Sequence, residues 1–225
     1  MARLLEDRPL FHGIDEADVR HLAAQGISFP GGDCSWNVGP PILHRIAARL
    51  TGEMVSIETG AGYTTVLMAA VVSHHHSCTA ASREEERIRR YLQEIGVPQE
   101  KVTFHIGSSA DTLPRLELDV PLDFAYIDGC HGYPVPALDW HYIDQRLRVG
   151  GIVGMDDVDL RPVRDHCAFL DENGSYELVE AVNDQGNARF YRKLKDENRE
   201  WVCQPYSRAG NAWLEPYLLK DRSEE

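Results

Sequence analysis

Asp128, His131, Asp156 and Asp157 stand where two apolar runs stop. The first run, "DFAYI", is followed by "DGCH", and the second, "GGIVGM", by "DD". Carboxylates and imidazoles take up protons, hold divalent cations, or do both. Two carboxylates about 4 Å apart repel by roughly 4 kcal/mol at an effective dielectric of about 20, so acids gathered in one place call for a positive partner. A bound cation, a basic side chain or a positively charged ligand would supply it. His131, of a type with a reference pKa of about 6.5, is suited to taking a proton near neutral pH. The competing account is structural: Asp128 with Gly129 makes a turn, and Asp156 or Asp157 caps a helix near Pro162.

For these residues to meet, strands must end side by side. From "EMVSIETGAGYTTVLMAAVV" onward, short β-branched runs alternate with amphipathic stretches of helical length, the pattern of βαβ units and a parallel sheet. Strands are expected over about 53–58, 76–81, 101–106, 122–128, 151–156, 175–182 and 187–194, with helices between. One helix should open at Ser82 as cap, carry Ile88, Tyr91, Leu92 and Ile95 inward, and stop at Gly96. Another should begin after Pro134 and Pro136, bury Leu138, Tyr142, Ile143 and Leu147, and end at Gly150 and Gly151. The last two strands are separated only by "NDQGN", too short for a crossover helix, so they form an antiparallel hairpin. The fold class is therefore α/β: a doubly wound sheet of seven strands, mostly parallel with an antiparallel last strand, and helices on both faces. In such sheets ligands lie outside the carboxyl ends of the strands, which would open Glu58, Asp128, Asp156 and Asp157 onto one crevice. Neighbouring strand residues point to opposite faces, so Asp156 and Asp157 reach one ion only if the strand has ended.

The 225 residues suit one domain: an N-terminal helical cap over 1–52, a core over 53–195 and an extension over 196–225. The cap should hold helices near 15–25 and 41–51, the second opened by Pro40 and Pro41. The extension holds Trp201, Tyr206, Trp213 and Tyr217, which, with Trp36, suit a substrate pocket, ordinary core packing or a homodimer contact. A net charge of −13 and a pI near 5.2 argue against nucleic acid as partner, because that binding relies on Lys and Arg at phosphates. Five widely spaced cysteines without a CxxC pair suggest reduced thiols and a cytoplasmic protein. No window approaches the roughly eighteen apolar residues of a membrane span, so neither a membrane nor export is expected. The "HHH" at 74–76 reads as a solvated turn leading into a strand, and Asp139 and Trp140 as residues that pack or pair.

"VSIETGAGYTT" places Glu58 at a strand end, Gly60 and Gly62 in a turn, and Thr64 and Thr65 at a helix start. Glycine lets backbone approach a ligand, and a helix N-terminus offers unpaired N–H groups, the makings of a nucleotide-type cofactor turn. A dinucleotide fingerprint would add a third glycine and an acid about twenty residues on. The chain has Thr65 and then "AASREEE" instead, which leaves an NAD-dependent oxidoreductase of Rossmann type as the alternative.

On these residues the chain resembles the class I S-adenosylmethionine (SAM)-dependent methyltransferases, whose first motif reads E/D-x-G-x-G before a hydroxyl-bearing helix start. The resemblance covers roughly residues 53–195 and implies a Rossmann-like fold and SAM as cofactor. It assigns Glu58, Gly60, Gly62, Tyr63 and Thr64 to the methionine part of the cofactor, and Ser108 and Ser109 of "HIGSSADTLP" to the adenine, with Asp128 nearby. The family usually ends its second strand in an acid that binds the ribose; Ala81 and Ser82 stand there in this chain, with Glu84 and Glu85 just beyond. The acid spacing resembles catechol O-methyltransferase, which implies Mg²⁺ held by Asp128, Asp156 and Asp157, and His131 as general base where that enzyme has lysine. It also resembles small bacterial methyltransferases bearing "IDG-x-H" and "GG-x-x-x-x-D-D", not all of which use a metal. The expectation is methyl transfer to a small molecule at a hydroxyl oxygen, with a metal-independent N-methyltransferase as a further alternative.

Overall fold

A computed structural model describes residues 38–183, 187–200 and 204–209. Its first element is α1 (Pro40–Ala47), with prolines at its start where a missing N–H costs nothing. This is the second of the two expected cap helices; the first, near 15–25, lies outside the described residues, as do Trp36, Trp201, Trp213 and Tyr217. There follow β1 (Val55–Thr59), α2 (Tyr63–Val71), β2 (His74–Thr79), α3 (Ser82–Glu94), β3 (Val102–Ile106), the short α4 (Ser109–Thr112) and β4 (Leu122–Ile127). Then come α5 (Val135–Asp144), β5 (Leu147–Met155), α6 (Arg161–Asn173), β6 (Tyr176–Val182), β7 (Ala188–Lys193) and the single-turn α7 (Pro205–Arg208).

The strands form one seven-stranded sheet in the order β3-β2-β1-β4-β5-β7-β6. Pairing is parallel from β3 through β5, while β7 runs antiparallel to both β5 and β6. The hairpin and the reversed last strand are as the sequence predicts. β1 and β4 are neighbours although two βα units separate them, and the chain leaves this pair toward opposite edges of the sheet.

Each face of the sheet has its own apolar layer. On one face Ile42, Ile46, Met68, Ile88 and Leu92 pack with Phe124, Tyr126 and Phe190 beneath α1, α2 and α3. On the other, Ile57, Ala125, Val153 and Met155 meet Trp140, Ile143, Val163 and Leu170 from α5 and α6. Burial of each large side chain contributes about 1.5–3 kcal/mol, enough in sum to fix the register of the strands.

Two element boundaries differ from the sequence reading. The N-cap of α3 is Ala81 in extended conformation without a side-chain cap, and Ser82 is the first helical residue. The other helix, α5, ends at Asp144, and Leu147 already belongs to β5. Gly150 and Gly151, read as a helix stop, lie inside β5 where its register against β4 shifts, and Gly150 has φ +85°. A glycine in a strand marks a bulge as readily as a helix end, and here it is the bulge.

Candidate active site

Glu58, the last acid before the glycine turn, is fully buried. Its carboxylate accepts hydrogen bonds from Thr64 Oγ1 at 2.5 Å and from Thr65 Oγ1, and it lies 3.1 Å from His75 Nε2. His75 Nδ1 lies 2.9 Å from Ser56 Oγ, so the ring is matched on both sides when Nε2 carries the hydrogen and Nδ1 accepts from the serine. Thr65 Oγ1 in turn accepts from the Gly62 N–H at 2.8 Å. A continuous polar chain thus runs from β2 through Glu58 into the first turn of α2 and sets the entry angle of that helix. The four-acid rim expected from the sequence therefore has three members, because Glu58 faces its own scaffold. The "HHH" run is likewise no solvated turn: it forms the start of β2, and His75 is fully buried.

At Gly60 the chain needs glycine twice over. Its φ is +90°, and a Cβ placed there would stand 2.3 Å from the Asp128 carbonyl oxygen. The loops after β1 and β4 thus touch backbone to backbone, tied by the Asp128 N–H donating to the Thr59 carbonyl at 3.1 Å. Beside them opens a crevice of about 460 Å³, lined among others by Gly60, Thr79, Glu84, Ser108, Ser109 and Asp128. That volume falls within the range of roughly 300–1,000 Å³ usual for small-molecule sites. Tyr63 and Thr64 are buried at the start of α2. Ser108 immediately precedes α4, and its carbonyl accepts from the Asp111 N–H at 2.9 Å. The cradle thus presents a bare glycine backbone, hydroxyls and a helix N-terminus, which fits a nucleoside carrying an amino acid.

At one side of this crevice the acids gather. β5 extends its ladder by one bond, Asp156 N–H to the Ile127 carbonyl at 3.1 Å, and then breaks at Asp157, whose φ is +51°. The strand has ended, so the alternation that would separate two consecutive acids no longer applies. His131 Nε2 lies 3.6 Å from Asp128 Oδ1 and 3.5 Å from Asp157 Oδ2. Asp128, His131 and Asp157 each offer one ligand atom within 4.8 Å of the others. Asp156, expected from the sequence to share a metal with Asp128 and Asp157, is outside that group, although its carboxyl is within hydrogen-bond reach of Asp128.

Burial, and then the charges of Asp157 and Glu58, push the Asp128 carboxyl well above the usual carboxylate range. Asp156 is raised in the same way by burial and by Asp128 and Asp157. The cluster as built favours an added proton or cation. Close by, Asp139 of α5 is fully buried, and neither of its oxygens has a hydrogen bond of acceptable geometry. Burial raises it to about 6, although the Ser109 and Thr59 hydroxyls lie near enough to moderate the rise. The sequence reading had Asp139 packing or pairing; it packs, and among the described residues it has no ion-pair or well-formed hydrogen-bond partner.

A glycine turn after β1, a crevice where β1 and β4 diverge, and this strand order together define the class I methyltransferase fold. Residues 57–158 match a family described as a methyltransferase domain. Among solved structures it is similar to the O-methyltransferase TomG from Streptomyces achromogenes, involved in tomaymycin synthesis and solved with SAM. That pair has 20% identity and a TM-score of 0.61, covering 81% of this chain and 91% of TomG. An O-methyltransferase from Bacillus cereus solved with S-adenosylhomocysteine has 16% identity and a TM-score of 0.59, covering 79% of this chain and 88% of its own. An rRNA methylase from Streptococcus thermophilus shares the fold at 16% identity and a TM-score of 0.55, covering 69% of this chain and 96% of its own. Comparison with curated proteins finds no match. These findings lend nothing to the dinucleotide oxidoreductase alternative. Among the described residues no helix is long and apolar enough to cross a membrane.

Proposed function

We propose that this methyltransferase transfers the methyl group of SAM to a hydroxyl oxygen of a small molecule. The observation that carries the reading is the placement of His131 between two carboxylates, beside a crevice suited to a nucleoside. TomG and the Bacillus cereus protein, both O-methyltransferases, support it, and the net charge of −13 favours a small acceptor over a polyanion. The free cysteines and the absence of a long apolar run in the sequence suit a cytoplasmic enzyme that works as a single domain.

When bound, SAM supplies an electrophilic methyl group on a sulfonium sulfur. Gly60 and Gly62 bring bare backbone close to its methionine part, and the N-terminus of α2 at Tyr63 and Thr64 offers donors to its carboxylate. Glu58 serves the same end indirectly by holding that turn in place. Ser108 and Ser109 flank the adenine, and Asp128 contributes from the opposite loop. His131 takes the acceptor's proton at Nε2, and Asp128 and Asp157 stabilise the imidazolium that results. Holding the acceptor oxygen in line with the methyl carbon supplies much of the remaining rate enhancement.

A second reading draws on the 4.8 Å grouping of Asp128, His131 and Asp157. A divalent ion fits those atoms, with Asp156 flanking, and would act there as a Lewis acid on the acceptor hydroxyl. Two carboxylates and one imidazole admit Mg²⁺ with several waters and suit Mn²⁺ or Zn²⁺ at least as well. In that arrangement His131 is a ligand and not the base.

Calorimetry with S-adenosylhomocysteine against NAD tests the cofactor, and labelled methyl transfer to paired hydroxyl and amine acceptors tests the oxygen. Full turnover in excess chelator, abolished by His131→Ala, supports the base reading. Loss with chelator and recovery with Mg²⁺ or Mn²⁺ supports the metal reading. Transfer confined to amines overturns the choice of oxygen, and failure to bind S-adenosylhomocysteine overturns the whole.

A further inference from the structure

Strand alternation splits the "HHH" run of β2. His75 points into one face of the sheet, where Ser56 and Glu58 hold it, and His74 and His76 turn to the other. On that second face β2 runs beside β3, the edge of the sheet, with His76 in register with Thr103 and Cys78 with His105. Residues in register share a face, so β3 adds His105 to the two histidines of β2. The three imidazoles form a row: the His74 and His76 ring centres lie 4.7 Å apart, and those of His76 and His105 lie 5.4 Å apart with the rings stacked.

His74 is engaged by β3, its Nε2 2.9 Å from the Thr103 hydroxyl. His76 and His105 turn nitrogens toward each other instead, Nδ1 of the first 3.1 Å from Nε2 of the second. With the hydrogen on the outward nitrogen of each ring, two lone pairs face one place. Two imidazoles that share one ion at about 2.0–2.1 Å, at angles between square-planar and tetrahedral, hold their nitrogens about 2.9–3.4 Å apart. The spacing of His76 and His105 is already in that range, and small ring rotations tilt both lone pairs onto a common ion. Both rings are half-buried at the sheet edge, within reach of an ion from solvent. Burial, and then the neighbouring histidines, lowers His76 to about 3 and lowers His105 as well, so both rings are neutral near pH 7, as ligation requires. Among the described residues no third His, Cys, Asp or Glu brings a ligand atom into this pair, which leaves the ion's other positions to water.

We propose that His76 Nδ1 and His105 Nε2 form a two-imidazole site for a borderline divalent transition-metal ion of the Zn²⁺, Ni²⁺ and Cu²⁺ class, apart from the acids around His131. Ligand chemistry separates the two places, because imidazoles select these ions while carboxylates and water suit Mg²⁺. The site lies under one wall of the crevice: β2 and β3 end at Thr79 and Ile106, and Thr79 and the following Gly107 line it. An ion at His76 and His105 therefore clamps the strand pair that carries that wall, and it does so whatever group the enzyme transfers.

The test is Ni²⁺ calorimetry at neutral pH on the untagged full chain, with His131→Ala as background and excess Mg²⁺ to occupy the carboxylates. The tightest class of binding should hold about one ion per chain. His76→Gln and His105→Gln, each added to that background, should weaken it about 10-fold or more, and His74→Gln should leave it unchanged. Thermal melts of each variant establish that it is folded. Copper electron paramagnetic resonance of the background protein needs no change at the site itself and should show two coordinating imidazole nitrogens, with one left in His105→Gln. Affinity unchanged by both His76→Gln and His105→Gln overturns the proposal, as does an equal loss in His74→Gln or a copper spectrum with fewer than two imidazole nitrogens in the background protein.

Discussion

Replacing Gly60 by alanine separates two costs that the structure lets us size. The first is conformational: φ at Gly60 is +90°, and an L-residue held in that region costs about 1–2 kcal/mol. The second is steric: the new Cβ would lie 2.3 Å from the Asp128 carbonyl oxygen, where ordinary contact begins at 3.4 Å. That oxygen belongs to backbone tied to β1 by the Asp128–Thr59 hydrogen bond, so it cannot turn away, and the two loops must part by about 1 Å. Together the costs come to about 3 kcal/mol, or a melting temperature lowered by about 6–12 °C for a chain of this length. Gly96→Ala is the matched control, since Gly96 has φ +77° with nothing within 4 Å of an added Cβ, and should lose only about 1 kcal/mol. The same parting of the loops shifts Asp128 and His131 against the crevice, and a misplacement of about 1 Å costs on the order of 100-fold in rate. Urea titration, S-adenosylhomocysteine affinity and initial rates on all three proteins make the assay. If Gly60→Ala and Gly96→Ala are equally destabilising and the first leaves affinity unchanged, the backbone contact between the loops does not constrain the site.

Further outcomes follow from other parts of the molecule. His75→Ala leaves the buried Glu58 carboxylate one partner short and should cost about 3 kcal/mol in urea unfolding while weakening S-adenosylhomocysteine through the loosened turn. Asp144→Ala takes one of two paired carboxylates from the buried Lys193, which keeps Asp196 and the Asp144 and Leu147 carbonyls, and removes acceptors from Tyr176 and Arg199, for an expected loss of about 2–3 kcal/mol with little effect on cofactor affinity. Asp139 has a folded-state pKa raised to about 6 from an ordinary value of 3.8, so the native state binds the extra proton and stability falls as pH rises through that window. Asp139→Asn should remove that slope and be the more stable protein above pH 6, by at most about 3 kcal/mol, as read from unfolding at a series of pH values. His166 shifts the other way, lowered by burial to about 4, so its contribution is lost as pH falls from about 6.5 toward 4; His166→Phe should flatten that acid limb.

Much of the architecture was legible because it is written in short-range patterns. The stripe of Ile88, Tyr91 and Leu92 marks α3, the five-residue gap after Val182 demands a hairpin, and apolar runs mark β4 and β5. Boundaries that depend on distant partners were not legible. No breaker separates α5 from β5 in "YIDQRLRVGGIVGM", and Leu147 joins the sheet because Leu122 of β4 pairs with it. The polar run at 74–76 gives no sign of burial, since the groups that satisfy His75 are Ser56 and Glu58 on another strand. The site was legible as a set of residues at strand ends but not as a set of contacts. Whether Glu58 faced the crevice turned on two threonine hydroxyls, and Asp157 joins Asp128 and His131 because its positive φ ends the strand.

The adjacency of β1 and β4 has a consequence for how the work is divided. The strands on one side of that seam end in glycine, threonine, alanine and serine, while the two beyond it end in acids and a histidine. On the proposed roles, the segments beyond Asp128 and after β5 meet the acceptor, while the loops after β1, β2 and β3 meet the cofactor. The backbone contact at Gly60 is the hinge pin of that arrangement, where the two halves of the work must agree to within the width of a methyl group.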